Sequence, residues 1–503
     1  MARVLMIALD AMELDLVKSW SEDGTLPNLA QLRETCASAE LRSSAEWFVA
    51  SPWPTFYTST TPADHGIYHY LLWDPEQMKS RRPGPDQPIA EPFWRDLARR
   101  GLNTLVIDAP MVYPPPDEST PGIEICGWNT HDLLADPWVH PASLRSRLES
   151  RDFRPLLLSE VYRPMTLAEL DTAHKNANAA TQMLCDLSLN LLATEPWDFA
   201  LVCLTAPHQS GHQFFSDTCL AEPPTGASPT EAALRDIYAS CDDAVGRLIA
   251  AVPDDTTVLV TALHGMCPNS NRGELLPDML RLILDGPKQT SALQTLRKLI
   301  PQPVRQAIKA RLPRSLQDRL TGYWRTSGLD WSTTRAFAFL PDLQGYVRVN
   351  LAGREARGIV LPGAEYDALC AQIIDGIAQF TDADTGAPII QQAVRMDVLF
   401  PDHPGLVRLP DIAIEWAHTP CAAHRQLTSP FGTIDWPTPG RNLDGRSGNH
   451  RGRGFLIVHN GPAGGATELP TADIMDLAPT VYEILGVPPP AHAQGQPIWF
   501  REG

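Results

Sequence analysis

The stretch DFALVCLTAPHQSGHQFF, residues 198–215, decides how the chain is read. Its first part is a short, near-continuous apolar run, the pattern of a strand buried on both faces. The run stops at Thr205, and His208 and His212 follow directly. Two imidazoles four residues apart, just past a buried strand, raise the question of a shared ligand.

Four more runs read as buried strands: VLMIALD (4–10), NTLVIDA (103–109), TTVLVTAL (256–263) and GFLIVHNG (454–461). The segments 167–194, 229–251 and 364–379 between them are amphipathic and read as helices. Strands alternating with helices predict an α/β class: a doubly wound, mostly parallel central sheet flanked by helices. The expected organisation is a first core part at 1–267 with an insertion around 110–165. A basic, amphipathic cap at 268–345 and a second core part at 346–503 complete it. Ligands of such sheets bind outside the carboxyl ends of the strands. Asp10 ends the first run, His208 and His212 follow the third, His264 follows the fourth, and His450 precedes the last. These residues are expected to converge on one sheet edge.

The formal charge of -18 over 503 residues argues against a nucleic-acid partner, which needs a basic face. It leaves room for a small anionic substrate held by a metal ion. The exception to the acidic balance is 288–325, where nine Lys and Arg face only Asp318; this reads as a solvated cap or a lid that attracts anions. Nine scattered cysteines with no C-x-x-C pattern suggest a reducing compartment. No run reaches the roughly 18 apolar residues of a membrane span, and the first run is too short for a signal peptide. A cytoplasmic protein is expected.

In order along the chain, VLMIALDAME, TLPNLAQLRETCASAELRS, SPWPTFYTSTTPADHGIYHY, HQSGHQFF, VTALHGM, GNHRGRGFLIVHNGP and TADIMDLAPTVYEILGVPPP resemble the alkaline phosphatase superfamily. Within it they are most similar to the type I phosphodiesterase/nucleotide pyrophosphatase branch. The resemblance implies an alkaline phosphatase-like sheet, two metal ions, usually zinc, and a Thr or Ser nucleophile. It implies that one ion is held by an Asp-x-x-x-His pair and a late His. The other is held by the first Asp, an Asp-His pair and the nucleophile.

Three departures stand out. His208 replaces the Asp of the Asp-x-x-x-His pair, which leaves His208, His212 and His450 as the first ligand set. Three imidazoles with an open position suit a catalytic zinc ion, and iron or manganese remain open. Leu263 replaces the Asp before His264, so only Asp10 and His264 remain for a second ion, and one ion is expected rather than two. Val49 stands where the nucleophile is expected. Ser51, two residues on, is the candidate in its place, with a helix N-cap as its other reading.

The function expected from these residues is metal-dependent hydrolysis of a phosphodiester or phosphomonoester. Metal-activated water or Ser51 would attack phosphorus, with Asp10 and His264 as further catalytic groups. Arg451 and Arg453 are the candidates for pairing with substrate oxygens. The alternatives are a mononuclear three-His enzyme acting on a non-phosphate substrate, and a binding scaffold without catalysis.

Overall fold

The computed structural model describes residues 2–286, 326, 329–339 and 343–500, apart from positions 85, 88, 131, 159, 160, 162, 223, 438, 439, 443 and 444. The basic segment 288–325 lies outside the described residues.

The centre is a nine-stranded sheet. Val4–Leu9 lies in its middle, parallel to Phe199–Leu204 on one side and to Thr257–Ala262 on the other. Thr104–Ile107 and Ile123–Cys126 extend it in parallel, and Trp138–His140 closes that edge antiparallel. Beyond Thr257–Ala262 runs Arg453–His459, antiparallel to that strand and to Ala37–Arg42. All five apolar runs are therefore strands of one mostly parallel sheet, and the last of them runs against the rest.

Both faces are covered, which is why the strands lack polar alternation. Leu5, Ile7 and Leu9 pack into one apolar cluster, with Leu184, Leu191, Ile237 and Val245 of the helices Leu167–Thr194 and Pro229–Ala250. Val4, Met6 and Ala8 point the other way, into a cluster with Trp53, Phe56 and Tyr57 of the helix Pro52–Thr58. This is the period-2 alternation of a strand read on two buried sides. Thr166 and Glu169 form a capping box that starts the 28-residue helix. Ser228 caps the next one through the Glu231 N–H.

The chain leaves the central sheet after Ala262 and rejoins it only at Arg453. Part of this excursion is a second, four-stranded sheet, in the order Ala336–Ala338, Gly345–Val349, Ile412–Trp416, Ile390–Arg395. It has its own apolar cluster, with Leu276–Asp285 and Ala364–Ile377 packed against it. The expected boundary at 345/346 therefore falls inside this second sheet. It falls just inside the strand Gly345–Val349, after its first residue, and that strand pairs with Ala336–Ala338.

Two features join the sheets. An aromatic cluster of Phe48, Tyr68, Trp73, Phe337, Phe339 and Tyr346 spans them. Beside it, Glu355 accepts from Arg348 Nε at 2.8 Å, Arg354 Nε at 2.9 Å and Trp73 Nε1 at 2.8 Å, and the Arg348 and Glu355 side chains are fully buried. Removing one partner of a buried ion pair strands the other charge at about 3–5 kcal/mol. Glu355→Ala is accordingly expected to lower stability by about that amount, read as a lower denaturation midpoint.

Candidate metal centre

Phe199–Leu204 passes straight into the helix Ala206–Phe214, with Pro207 in its first turn. Proline is favoured there because the first helical N–H groups have no intrahelical partner. The helix starts at the carboxyl end of a central strand and turns His208 and His212 to the same side. Asp10 follows Val4–Leu9 at the same edge, and its N–H donates to the Leu204 carbonyl at 3.0 Å. His264 follows Thr257–Ala262. His450 arrives on the short strand Gly448–Arg451, which pairs antiparallel with Gly265–Pro268.

Three imidazole nitrogens meet here. His208 Nε2 lies 3.1 Å from His212 Nε2, and His450 Nε2 lies 2.9 Å from each. The other nitrogen of two rings has an acceptor. His212 Nδ1 donates to the Gly448 carbonyl at 3.0 Å, and His208 Nδ1 donates to Asp10 Oδ2 at 2.9 Å. Both rings therefore turn an unprotonated Nε2 inward. The lone pairs of His208 and His212 thus converge on the His450 Nε2, and a cation among the three rings would satisfy them. Four-coordinate zinc with Zn–N bonds of about 2.0–2.1 Å spaces its nitrogens by about 3.3 Å, within a few tenths of the distances found. His450 Nδ1 and both nitrogens of His264 are buried without a hydrogen-bond partner among the described residues. Donor atoms of His208, His264 and His450 lie within 4.8 Å of one another. The residues thus fit a divalent ion.

Burial and the neighbouring His264, His212 and His208 hold the His450 imidazole well below its ordinary range, and Arg446 adds to the effect. Burial pushes His264 down to about 4, so its ring is neutral over the physiological range. Burial pushes the Asp10 carboxyl up, and the adjacent His208 more than offsets that, leaving it below the usual carboxylate value.

The other expected site residues fall elsewhere. Leu263 is buried in the apolar cluster on one side of the sheet, so it brings no ligand to a second ion. Ser51 is fully buried at the start of the helix Pro52–Thr58, but its side chain does not cap it. Its hydroxyl lies 3.1 Å from Thr55 Oγ1, which in turn lies 3.1 Å from His65 Nε2. Among the described residues, no hydrogen bond links Ser51 to the histidines. Arg451 and Arg453 do not face the cluster either. Arg451 pairs with Glu13 at 3.3 Å and Asp15 at 3.0 Å, and Arg453 pairs with Asp15 at 2.8 Å and with Glu40. Successive strand residues point to opposite faces, so the neighbour of His450 turns away from the metal side.

Sequence reasoning missed Trp53 and Asp132. Trp53 Nε1 donates to Asp10 Oδ1 at 3.0 Å, and Asp132 Oδ2 lies 3.2 Å from His208 Nδ1. Asn129, Thr130, Asp132, Leu158, Thr205, His208 and Gln209 line a gap beside the centre that is too tight for a water molecule. No local pattern marks either residue. The one hint was Trp53's place two residues after Ser51, in a segment already singled out.

Gly448 is held close to the histidine helix. A Cβ on it would lie 2.1 Å from the Gly211 carbonyl oxygen, a backbone atom with no room to yield. Gly448→Ala is expected to push Gly448–Arg451 off the helix, parting His450 from His212. Metal affinity should fall about tenfold or more in a zinc titration, with the circular-dichroism spectrum kept.

Residues 4–300 match the family described as type I phosphodiesterase / nucleotide pyrophosphatase. No curated protein matches the chain by sequence. Among similar solved structures is phosphonoacetate hydrolase from Sinorhizobium meliloti 1021 in complex with phosphonoformate. It is 15% identical with a TM-score of 0.54, over 97% of this chain and 95% of that one. The same enzyme with phosphonoacetate gives 16% and 0.52 over the same shares. Murine ectonucleotide pyrophosphatase / phosphodiesterase 5 in complex with AMP gives 12% and 0.48, over 98% and 97%. The hydrolase structures share the fold, and the family match covers more than half of the chain: it belongs to the type I phosphodiesterase / nucleotide pyrophosphatase family.

Proposed function

We propose that this chain, a hydrolase by its family, cleaves a small phosphate ester at a metal ion held by His208, His212 and His450. The observation that carries the reading is the convergence of three Nε2 atoms at 2.9–3.1 Å. Zinc is the ion we favour, since three imidazoles with an open position are a common catalytic zinc set. When bound, such an ion polarises a phosphoryl oxygen and lowers the pKa of an attacking water.

The protein's own groups divide the remaining work. His212 is fixed by the Gly448 carbonyl and His208 by Asp10, so neither ring has to turn during the reaction. His264 is neutral, buried and without a hydrogen-bond partner among the described residues, which suits it to donate to the departing oxygen. Asp10 and Asp132 beside His208 disfavour a second negative charge, so we favour a monoanionic diester over a dianionic monoester. Water serves as the nucleophile, because the Ser51 hydroxyl is engaged with Thr55. The eight cysteines described as free are all buried, which suits a reducing compartment such as the cytoplasm.

One observation favours a second reading. Leu263 removes one of the carboxylates that would bind a second ion beside His264, and two-ion phosphoryl transfer uses both ions. The same three-histidine centre would then act on a non-phosphate ester.

The test is hydrolysis of bis(p-nitrophenyl) phosphate, p-nitrophenyl phosphate and p-nitrophenyl acetate by protein purified without a metal-affinity tag. We expect zinc-dependent turnover of the diester above the monoester, and a loss of at least about 100-fold in kcat/KM in His212→Ala. Turnover of the acetate alone would support the second reading, and no turnover of any of them would refute both. Ser51→Ala is expected to keep kcat within about tenfold, since it loses a single hydrogen bond, whereas loss of a covalent nucleophile costs orders of magnitude more.

A further inference from the structure

We infer that Asp10 does not hold a second ion but serves as the hydrogen-bonding partner that fixes and polarises His208, and that Trp53 keeps it in that role. The inference rests on the three-histidine reading above and goes beyond it, because it makes the centre a single-ion site by construction.

Both oxygens of Asp10 already have donors. Oδ2 accepts from His208 Nδ1 at 2.9 Å, and Oδ1 accepts from Trp53 Nε1 at 3.0 Å. The carboxylate is buried, so it cannot swing to solvent and back. Its backbone is tied to the neighbouring strand through the Leu204 carbonyl. The two donors fix the plane and direction of the carboxylate, with one oxygen turned to His208 and the other to Trp53. The position that would supply the second carboxylate is Leu263, packed among apolar side chains.

The two replacements belong together chemically. An aspartate at position 208 would have no N–H to offer, and Asp10 would be left to find a cation. An imidazole at 208 carries a second nitrogen, which in a buried place must have an acceptor. Asp10 is that acceptor. A carboxylate on the far nitrogen fixes the tautomer and ring angle of a metal-bound histidine and makes its near nitrogen a stronger donor. Trp53 contributes by occupying the other oxygen, which leaves Asp10 one direction in which to act. Asp132, 3.2 Å from the same His208 nitrogen, adds a more exposed second carboxylate. In this arrangement Asp10 and Trp53 are positioning residues, and His208, His212 and His450 are the ligands.

The experiment is titration of metal-free protein with zinc, and with cobalt(II) followed by its visible absorption. Wild type, Asp10→Asn, Trp53→Phe and His212→Ala are compared, with melting temperature as the folding control. Wild type is expected to bind one ion. Asp10→Asn should also bind one, about 10–100-fold more weakly and with a shifted cobalt band. Trp53→Phe keeps the packed ring and removes the N–H alone. It should bind one ion several-fold more weakly, and it carries the test if Asp10→Asn does not fold. A merely structural role would lower the melting temperature without moving the cobalt band. Two ions in wild type, falling to one in Asp10→Asn, would overturn this inference and leave the three-histidine reading standing. One ion bound with unchanged affinity and spectrum in both the Asp10 and Trp53 variants would overturn it in the same way. No ion in wild type, or binding indifferent to His212→Ala, would overturn the three-histidine reading and this inference with it.

Discussion

Three adjacent parallel strands, ending level with one another, are the constraint on which the rest depends. Leu9 lies opposite Leu204, and Ala8 lies opposite Thr261. Whatever follows these strands must therefore emerge at the same edge of the sheet, a few ångströms apart. Asp10, the helix with His208 and His212, and His264 all do so. Parallel strands need long crossovers, and the helix Pro229–Ala250 lies in the one from Phe199–Leu204 to Thr257–Ala262, with Leu167–Thr194 packed beside it. Their apolar sides bury Leu5, Ile7 and Leu9, so the packing that stabilises the sheet also fixes the edge where the histidines meet.

The last strand completes the set by running backwards. Arg453–His459 is antiparallel to Thr257–Ala262, so the residues that precede it, and not those that follow it, lie at the ligand edge. That is how His450, on Gly448–Arg451, reaches the histidine helix. The close approach needs Gly448 against the Gly211 carbonyl, and the Gly448 carbonyl in turn orients His212. One glycine thus both admits the strand and fixes a ring that faces the metal side.

The resemblance to the family was legible because it rides on short segments in a fixed order, each with a local pattern. The departures from it were legible too, since Leu263 has no ligand atom in any fold. Contact partners of long polar side chains were not legible. Arg451 and Arg453 stand beside a site residue in sequence, and strand alternation together with Glu13, Asp15 and Glu40 turns them outward. Trp53 and Asp132 come from segments far from His208 along the chain, and no local period announces that they will meet it. Ser51 was correctly set at a helix start, yet its hydroxyl turns along the helix to Thr55 instead of capping the helix or reaching the histidines.

The sequence by itself determined five strands of the central sheet, three of the helices, the edge at which the polar residues gather and the change of Asp to His at position 208. These follow from hydrophobic period and residue type, which are properties of neighbours along the chain. Only the tertiary structure decided that three Nε2 atoms face one another, that Asp10 turns to His208 and Trp53, and that part of the long excursion before Gly448 forms a second sheet. Those depend on which buried donor meets which buried acceptor. In a packed interior that is settled by residues hundreds of positions apart, because no polar group can be left there without a partner at small cost.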